Sequence, residues 1–133
     1  MVDDEPALRL LCRVNLPLAG FDVVEAGDGA SALALLREER FDLVLLDVMM
    51  PVVNGFGVAE QLRADGPATP IVFLSARADR VDIRRGLELG AVDYVTKTFD
   101  PVAIGERLHV VLRAVDAGEA EGLRARRLRE LDA

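Results

Sequence analysis

Leu43-Val44-Leu45-Leu46-Asp47-Val48-Met49-Met50-Pro51 is the stretch that decides the fold of this 133-residue chain. Its run of apolar residues, set between Asp42 and Asp47 with a proline soon after, reads as a strand buried on both faces of a parallel sheet. Asp47 stands at the carboxyl end of that strand, where an open α/β sheet places its ligand crevice. Asn54-Gly55 follows as a turn signal. Taken alone, such an acid is often only a helix cap or a solvated loop residue. Its meaning depends on what the other strand ends carry.

Working outward, Asp3-Asp4-Glu5-Pro6 leads into a first helix, since proline suits the first turn and acids favour a helix N-terminus. Ala7, Leu10, Leu11 and Val14 form an apolar stripe at helical spacing, and Leu16-Pro17 with Gly20 closes the helix. Phe21–Glu25 is predicted as a short strand, followed by a Gly27-Asp28-Gly29 loop and a second helix to about Glu39, with Leu33 and Leu36 inward. A third helix after Gly55 ends at Asp65-Gly66-Pro67. Pro70–Ser75 is an apolar strand ending in a hydroxyl. Asp79–Leu89 reads as a fourth helix, weakened by Gly86 and capped by Gly90. Ala91–Thr96 gives the last strand, ending at Lys97. After Asp100-Pro101 a fifth helix carries Ile104, Leu108, Val111, Leu112 and Val115.

Strands alternating with helices imply a doubly wound parallel sheet, and nothing repeats internally. From Asp116 the composition shifts to Ala, Glu and Arg with Gly118 and Gly122, which suggests a charged tail or linker helix, frayed or separate. Its arginines at 124, 126, 127 and 129 are balanced by Glu119, Glu121, Glu130 and Asp132, as on a solvated mixed-charge face.

Hydrophobic residues at 51% and charged residues at 29% describe a globular chain and not a disordered one. Charges interrupt every apolar run before the roughly 20 residues that a membrane span needs. Acids at positions 3 to 5 stand where a signal peptide would be basic. The single cysteine, Cys12, cannot form an internal disulfide and is expected to face the core. A net charge of -7 argues against direct nucleic-acid binding. A soluble cytoplasmic domain without membrane contact is expected, with His109 on its surface.

The strand ends carry Asp3 and Asp4, then Asp47, Ser75 and Lys97. In a flavodoxin-like strand order of 2-1-3-4-5, the first and third strands are neighbours at the switch point, which brings Asp3, Asp4 and Asp47 to one crevice. Clustered carboxylates repel unless a cation joins them, and a hard, oxygen-only set suits Mg2+. A carboxylate nucleophile, a cation, a lysine and a hydroxyl are the parts that phosphoryl transfer needs. One irregularity concerns Met1-Val2, far short of the usual strand of about 5–6 residues. The first strand is expected to be truncated, with the reading frame extending upstream into further apolar residues.

Asp3-Asp4-Glu5, Asp47 with Met50-Pro51 and Asn54-Gly55, Ser75-Ala76, and Tyr94 with Lys97 and Phe99 together resemble the receiver domain of bacterial two-component response regulators. The resemblance spans about Val2 to Val115, so residues 1–115 are read as the domain and 116–133 as the tail. It implies a flavodoxin-like (βα)5 fold and phosphoryl transfer from a sensor histidine kinase or phosphotransfer protein to Asp47. It further implies Mg2+ held by Asp4, Asp47 and the Met49 carbonyl, with Asp3 acting through water. Lys97 and Ser75 would hold phosphoryl oxygens. Ser75 and Tyr94 resemble a switch pair that remodels the face of the fourth helix, last strand and fifth helix toward a downstream output domain or protein. Met49 and Ala76 resemble positions that influence how fast the phosphate is lost. Asp93 and Arg107 resemble positions that some relatives use across a homodimer on that face.

Thr98 stands where the family has proline after the lysine, so either a trans bond with a shifted loop or a strained cis bond is expected there. A degenerate receiver acting only as an interaction module is the alternative function. A phosphatase of the haloacid-dehalogenase type would need a second acid two residues after the nucleophile, where Met49 stands. A nucleotide site would need a Gly-rich phosphate loop after a strand. After Val115 the 133 residues leave no room for an output domain, so a stand-alone or excised receiver is expected.

Overall fold

The computed structural model describes residues 1–65, 69–76, 79–96 and 101–131. Strands β1 (Val44–Asp47), β2 (Ile71–Ser75) and β3 (Asp93–Thr96) pair in parallel in the order β1-β2-β3. All of β1 and β2 is buried, because helices cover both faces of the sheet. Alternate side chains serve opposite layers. Leu45, Val72 and Leu74 pack with Leu8, Cys12 and Leu16 of α1 (Pro6–Leu18) and with Ile104, Leu108 and Val111 of α5 (Pro101–Asp116). Leu46 and Phe73 face the layer of α2 (Gly29–Glu38), α3 (Gly55–Ala64) and α4 (Arg80–Glu88). No helix among the described residues is long and apolar enough to cross a membrane.

Val2 alone stands for the first strand. It bridges in parallel to Ala26 on one side and to Leu46 on the other, which produces the 2-1-3-4-5 order with its central strand cut short. Phe21–Glu25, expected as a strand, carries no ladder. Sheet structure needs a hydrogen-bonding neighbour, and the pairing beside this segment is the single Val2–Ala26 bridge, with the Met1 nitrogen donating to the Val24 carbonyl at 2.9 Å. Beside it lies a shallow apolar cleft lined by Met1, Val24, Leu36, Phe41, Leu43 and Val44.

The phase of α1 also differs from expectation. Leu8, Cys12 and Leu16 are buried, whereas Leu10, Leu11 and Val14 are exposed. Both sets have helical spacing, so periodicity alone could not choose between them. Two features set the rotation: Asp3 at the end of the bridged segment, and an Arg9 Nη1 bond of 2.7 Å to the Asp3 carbonyl. Cys12 does face the core, and burial pushes its thiol up to about 11. His109 is on the surface as expected, with Nε2 2.7 Å from the Ala19 carbonyl and its ring against Phe21.

α1, α4 and α5 end alike. Gly20, Gly90 and Gly118 take φ of +96°, +101° and +74°. The amide of each, and that of the residue after it, return to carbonyls of the last helical turn, as in Phe21 N to Leu16 O and Glu119 N to Ala114 O. Gly86, the apparent weak point of α4, has a different reason. A Cβ there would lie 2.8 Å from the Phe73 ring, so glycine lets the helix approach the sheet.

The tail is an ordered helix, α6 (Ala120–Leu131), turned back at Gly118 against α4, α5 and β3. The expectation of a wholly solvated face is corrected by Arg124 and Arg127, which reach into the domain. Leu128 and Leu131 pack against the core layer that holds Ile83, Leu87 and Tyr94.

Candidate functional site

The crevice forms where the chain leaves Val2 and β1. Val2 donates to the Leu45 carbonyl at 2.8 Å and accepts from the Asp47 amide at 2.9 Å, while the Asp3 amide bonds the Ala26 carbonyl at 3.1 Å. These bonds fix the backbone of Asp3 and Asp47 side by side, so a single bridged residue suffices to bring the acids together. Asp3 and Asp47 are buried. One oxygen from each of Asp3, Asp4 and Asp47 lies within 4.8 Å of the others. Asp3 Oδ1 accepts the Glu5 amide at 2.9 Å, and Asp47 Oδ1 accepts the Met49 amide at 3.1 Å, which holds each carboxylate against its own backbone turn.

The loop after β1 is shaped by two unusual residues. Gly55 opens α3 with its amide on the Val48 carbonyl at 3.0 Å, and a Cβ there would fall 2.2 Å from the Asp47 carbonyl oxygen. Glycine therefore allows the start of α3 to lie on the strand end that carries Asp47. Asn54 caps the helix by accepting the Gly57 amide at 2.9 Å. Val52 has φ of 69° in a γ-turn closed by the Val53 amide on the Pro51 carbonyl at 2.9 Å. A β-branched residue at positive φ stores of the order of 1–3 kcal/mol. Val52 is fully exposed and loses no packing on replacement. Val52→Gly is expected to raise stability by about 1 kcal/mol, read from the midpoint of denaturant unfolding. An unchanged or lower midpoint would show that no strain is held at this turn.

Ser75 is buried at the end of β2, and Thr96 pairs with it in register on β3. Tyr94 is buried on the same strand, with its ring centroid 6.1 Å from that of Phe73. Met49 is exposed beside Asp47. Lys97, Thr98 and Phe99 lie outside the described residues, and so do the expectations placed on them, including the geometry of the Lys97–Thr98 bond. Asp93, which resembles a position used in dimers of some relatives, is fully buried in the single chain and takes both Arg107 and Arg127. Arg127 was missed as a partner because it lies on the tail helix, remote from Asp93 in sequence. The apolar spacing of Leu128 and Leu131 was the available signal.

Three oxygen donors in this space fit a small hard cation. A hard, oxygen-only set suits Mg2+, which keeps several waters beside one or two carboxylates. Thiolate and imidazole ligands are absent from the cluster, which disfavours zinc.

Comparison with known proteins bears on the same residues. The response regulator receiver domain family matches residues 1–109. The chain is 46% identical over 123 residues to the DNA-binding response regulator MtrA of Mycolicibacterium smegmatis, covering 92% of this chain and 54% of that protein. It spans about half the length of the curated relatives it matches. Among solved structures it is similar to the chemotaxis protein CheY4 of Vibrio cholerae, with a TM-score of 0.77 and 33% identity, covering 83% of this chain and 93% of that one. It is also similar to the receiver domain of the Francisella response regulator 1452, with a TM-score of 0.80 and 28% identity over 86% of this chain and 94% of that one. By its match to the family model and its likeness to these relatives and solved structures, the chain belongs to the response regulator receiver domain family of two-component systems.

Proposed function

We propose that this chain is a phosphoacceptor switch, with residues 1–115 as the receiver and 116–133 as a linker helix. The observation that carries the reading is the convergence of Asp3, Asp4 and Asp47 within 4.8 Å at the end of a buried strand. A carboxylate oxygen of Asp47 attacks the phosphorus of a phosphohistidine on a sensor kinase or phosphotransfer protein. The O–P bond forms as the N–P bond breaks, and the electron pair returns to the imidazole nitrogen. The Met49 amide on Asp47 Oδ1 aims the carboxylate. Ser75 and Lys97 donate to phosphoryl oxygens.

Receivers generally bind Mg2+ at such an acidic pocket. Here Asp4, Asp47 and the Met49 carbonyl would hold it, with Asp3 acting through water, and the ion would supply charge neutralisation for the transferring group. The chain turns over no separate substrate. Ser75 and Tyr94 pass the change to the face of α4, β3 and α5, which addresses a downstream output domain or protein. MtrA is named as DNA-binding, and for this domain, with its net charge of -7, contact with DNA is assigned to a partner. The setting is the cytoplasm. An interaction-only module is the weaker reading, because it leaves three gathered carboxylates without a purpose.

The full chain, incubated with a small acyl phosphate and Mg2+, is expected to gain the mass of one phosphoryl group. Fragmentation should place that group on Asp47, and chelation should abolish the gain. A chain that stays unmodified under these conditions is not a phosphoacceptor.

A further inference from the structure

A guanidinium stands behind the acid cluster. Arg9, on the first turn of α1, donates from Nη1 to the Asp3 carbonyl at 2.7 Å, and its Nε lies 3.7 Å from Glu25 Oε1. The same group rests against Gly27, where a Cβ would stand 3.2 Å from Nη1. Glu25 is held in turn by Arg13, whose Nε and Nη2 donate to its two oxygens at 2.6 and 3.0 Å. Between Glu25 and Gly27, the Ala26 carbonyl accepts the Asp3 amide at 3.1 Å. Arg9 thus joins α1, the Asp3 turn and the segment before α2 at one point.

That point controls the direction of the chain. A peptide unit is planar and trans, so its carbonyl and the N–H that follows point opposite ways. Fixing the Asp3 carbonyl therefore fixes the plane from which Asp4 departs. In a longer strand, ladder bonds would hold that plane. Here the pairing is that of Val2 alone, and Asp3 enters at once a turn closed by the Glu5 amide on its own Oδ1 at 2.9 Å. A charge-assisted bond to the carbonyl takes over the task. Charge alone does not account for an arginine here, because a cation beside a Mg2+ site repels the ion.

We propose that Arg9 is a positioning residue for the metal site: its bond to the Asp3 carbonyl aims Asp4 into the crevice beside Asp47 and holds the three carboxylates at a spacing that takes Mg2+. The inference rests on the reading of Asp3, Asp4 and Asp47 as that site.

The test is a Mg2+ titration of the full chain, followed by the amide resonances of Asp4 and Asp47. Arg9→Ala is expected to bind Mg2+ about tenfold more weakly, or worse, as is common when a group that orients metal ligands is lost. Coulomb's law alone gives the opposite sign, since losing a cation should tighten binding. Arg13→Ala removes the same charge one turn further along α1 and leaves the Asp3 bond in place, so it should bind at least as tightly as the parent. Arg9→Lys keeps the charge but cannot span the carbonyl and Glu25, and should fall between parent and alanine. Without metal, exchange of the Glu5 amide is expected to quicken about tenfold in Arg9→Ala. The Asp47 amide, bonded to the Val2 carbonyl, should stay unchanged as the control for folding.

A folded Arg9→Ala chain with the parent's Mg2+ affinity overturns the role of Arg9 and leaves the metal site standing. Equal weakening in Arg13→Ala overturns it too, by moving the effect to the pairing with Glu25. If the alanine variant does not fold, the lysine variant decides, and parental affinity there has the same force. A parent that binds no Mg2+ removes the reading of the site and this inference with it.

Discussion

Asp47→Asn is expected to abolish phosphoryl uptake outright and, without added metal, to make the chain more stable. The first effect follows from chemistry, because an amide oxygen is no nucleophile toward phosphorus. The second follows from the crowding of the acids, which lie within 4.8 Å of one another. At an effective dielectric near 20, unit charges about 4 Å apart repel by about 4 kcal/mol, part of which neighbouring groups offset. A net gain of about 1–2 kcal/mol on removing one of these charges is therefore expected. The asparagine oxygen can still accept from the Met49 amide, which keeps the turn of the parent. Mg2+ should raise the melting temperature of the parent, since it binds only the folded cluster, and should raise that of the variant much less. Equal metal-induced shifts in the two chains would mean that Asp47 is not a ligand. A metal-free variant less stable than the parent would mean that its charge is fully compensated.

Adding three or four β-forming apolar residues before Met1 is the second large effect. The cleft between Val24 and Val44 is lined by apolar side chains, and the chain at Met1 already points along it. An added strand would bury its side chains there and pair its backbone with Phe21–Glu25 and β1. Burial and ladder bonds, less the entropy of ordering the added residues, leave a gain of about 2–4 kcal/mol. The extension also removes a charge from an unfavourable place, since burial holds the Met1 ammonium below its ordinary pKa of 8.0. In the parent, stability should rise as pH climbs from that lowered value toward 8.0, because the unfolded chain then binds a proton that the folded chain has released. The extended chain should lack this slope. A Gly-Ser extension of equal length is the control. Denaturation midpoints that do not separate the apolar extension from the Gly-Ser one would show that the cleft does not accept a strand.

Much of this architecture could be read from the residues alone, and the exceptions have physical causes. β1 and β2 were legible because strands buried on both faces spell continuous apolar runs. The acids at the strand ends were legible because topology, once inferred, places them. Phe21–Glu25 has a strand's composition, but a strand is a pairing and its partner spans one bridged residue. The rotation of α1 hung on a choice between two apolar stripes, decided by the hydrogen bond between Arg9 and Asp3. Gly86 reads as a defect until Phe73 is seen beneath it. The union of Asp93 with Arg127 joins residues 34 apart in sequence, and its one local sign is the apolar spacing of Leu128 and Leu131 that docks the helix.

The position of Cys12 has a practical consequence. It is the chain's only thiol, enclosed between α1 and the sheet and held protonated far above neutral pH. Alkylating reagents can reach it only when α1 lifts away, so the rate of its modification clocks that opening without any engineered label. Conditions that loosen the acid-bearing end of the domain would be reported, molecule by molecule, by a sulfur atom that takes no part in the chemistry.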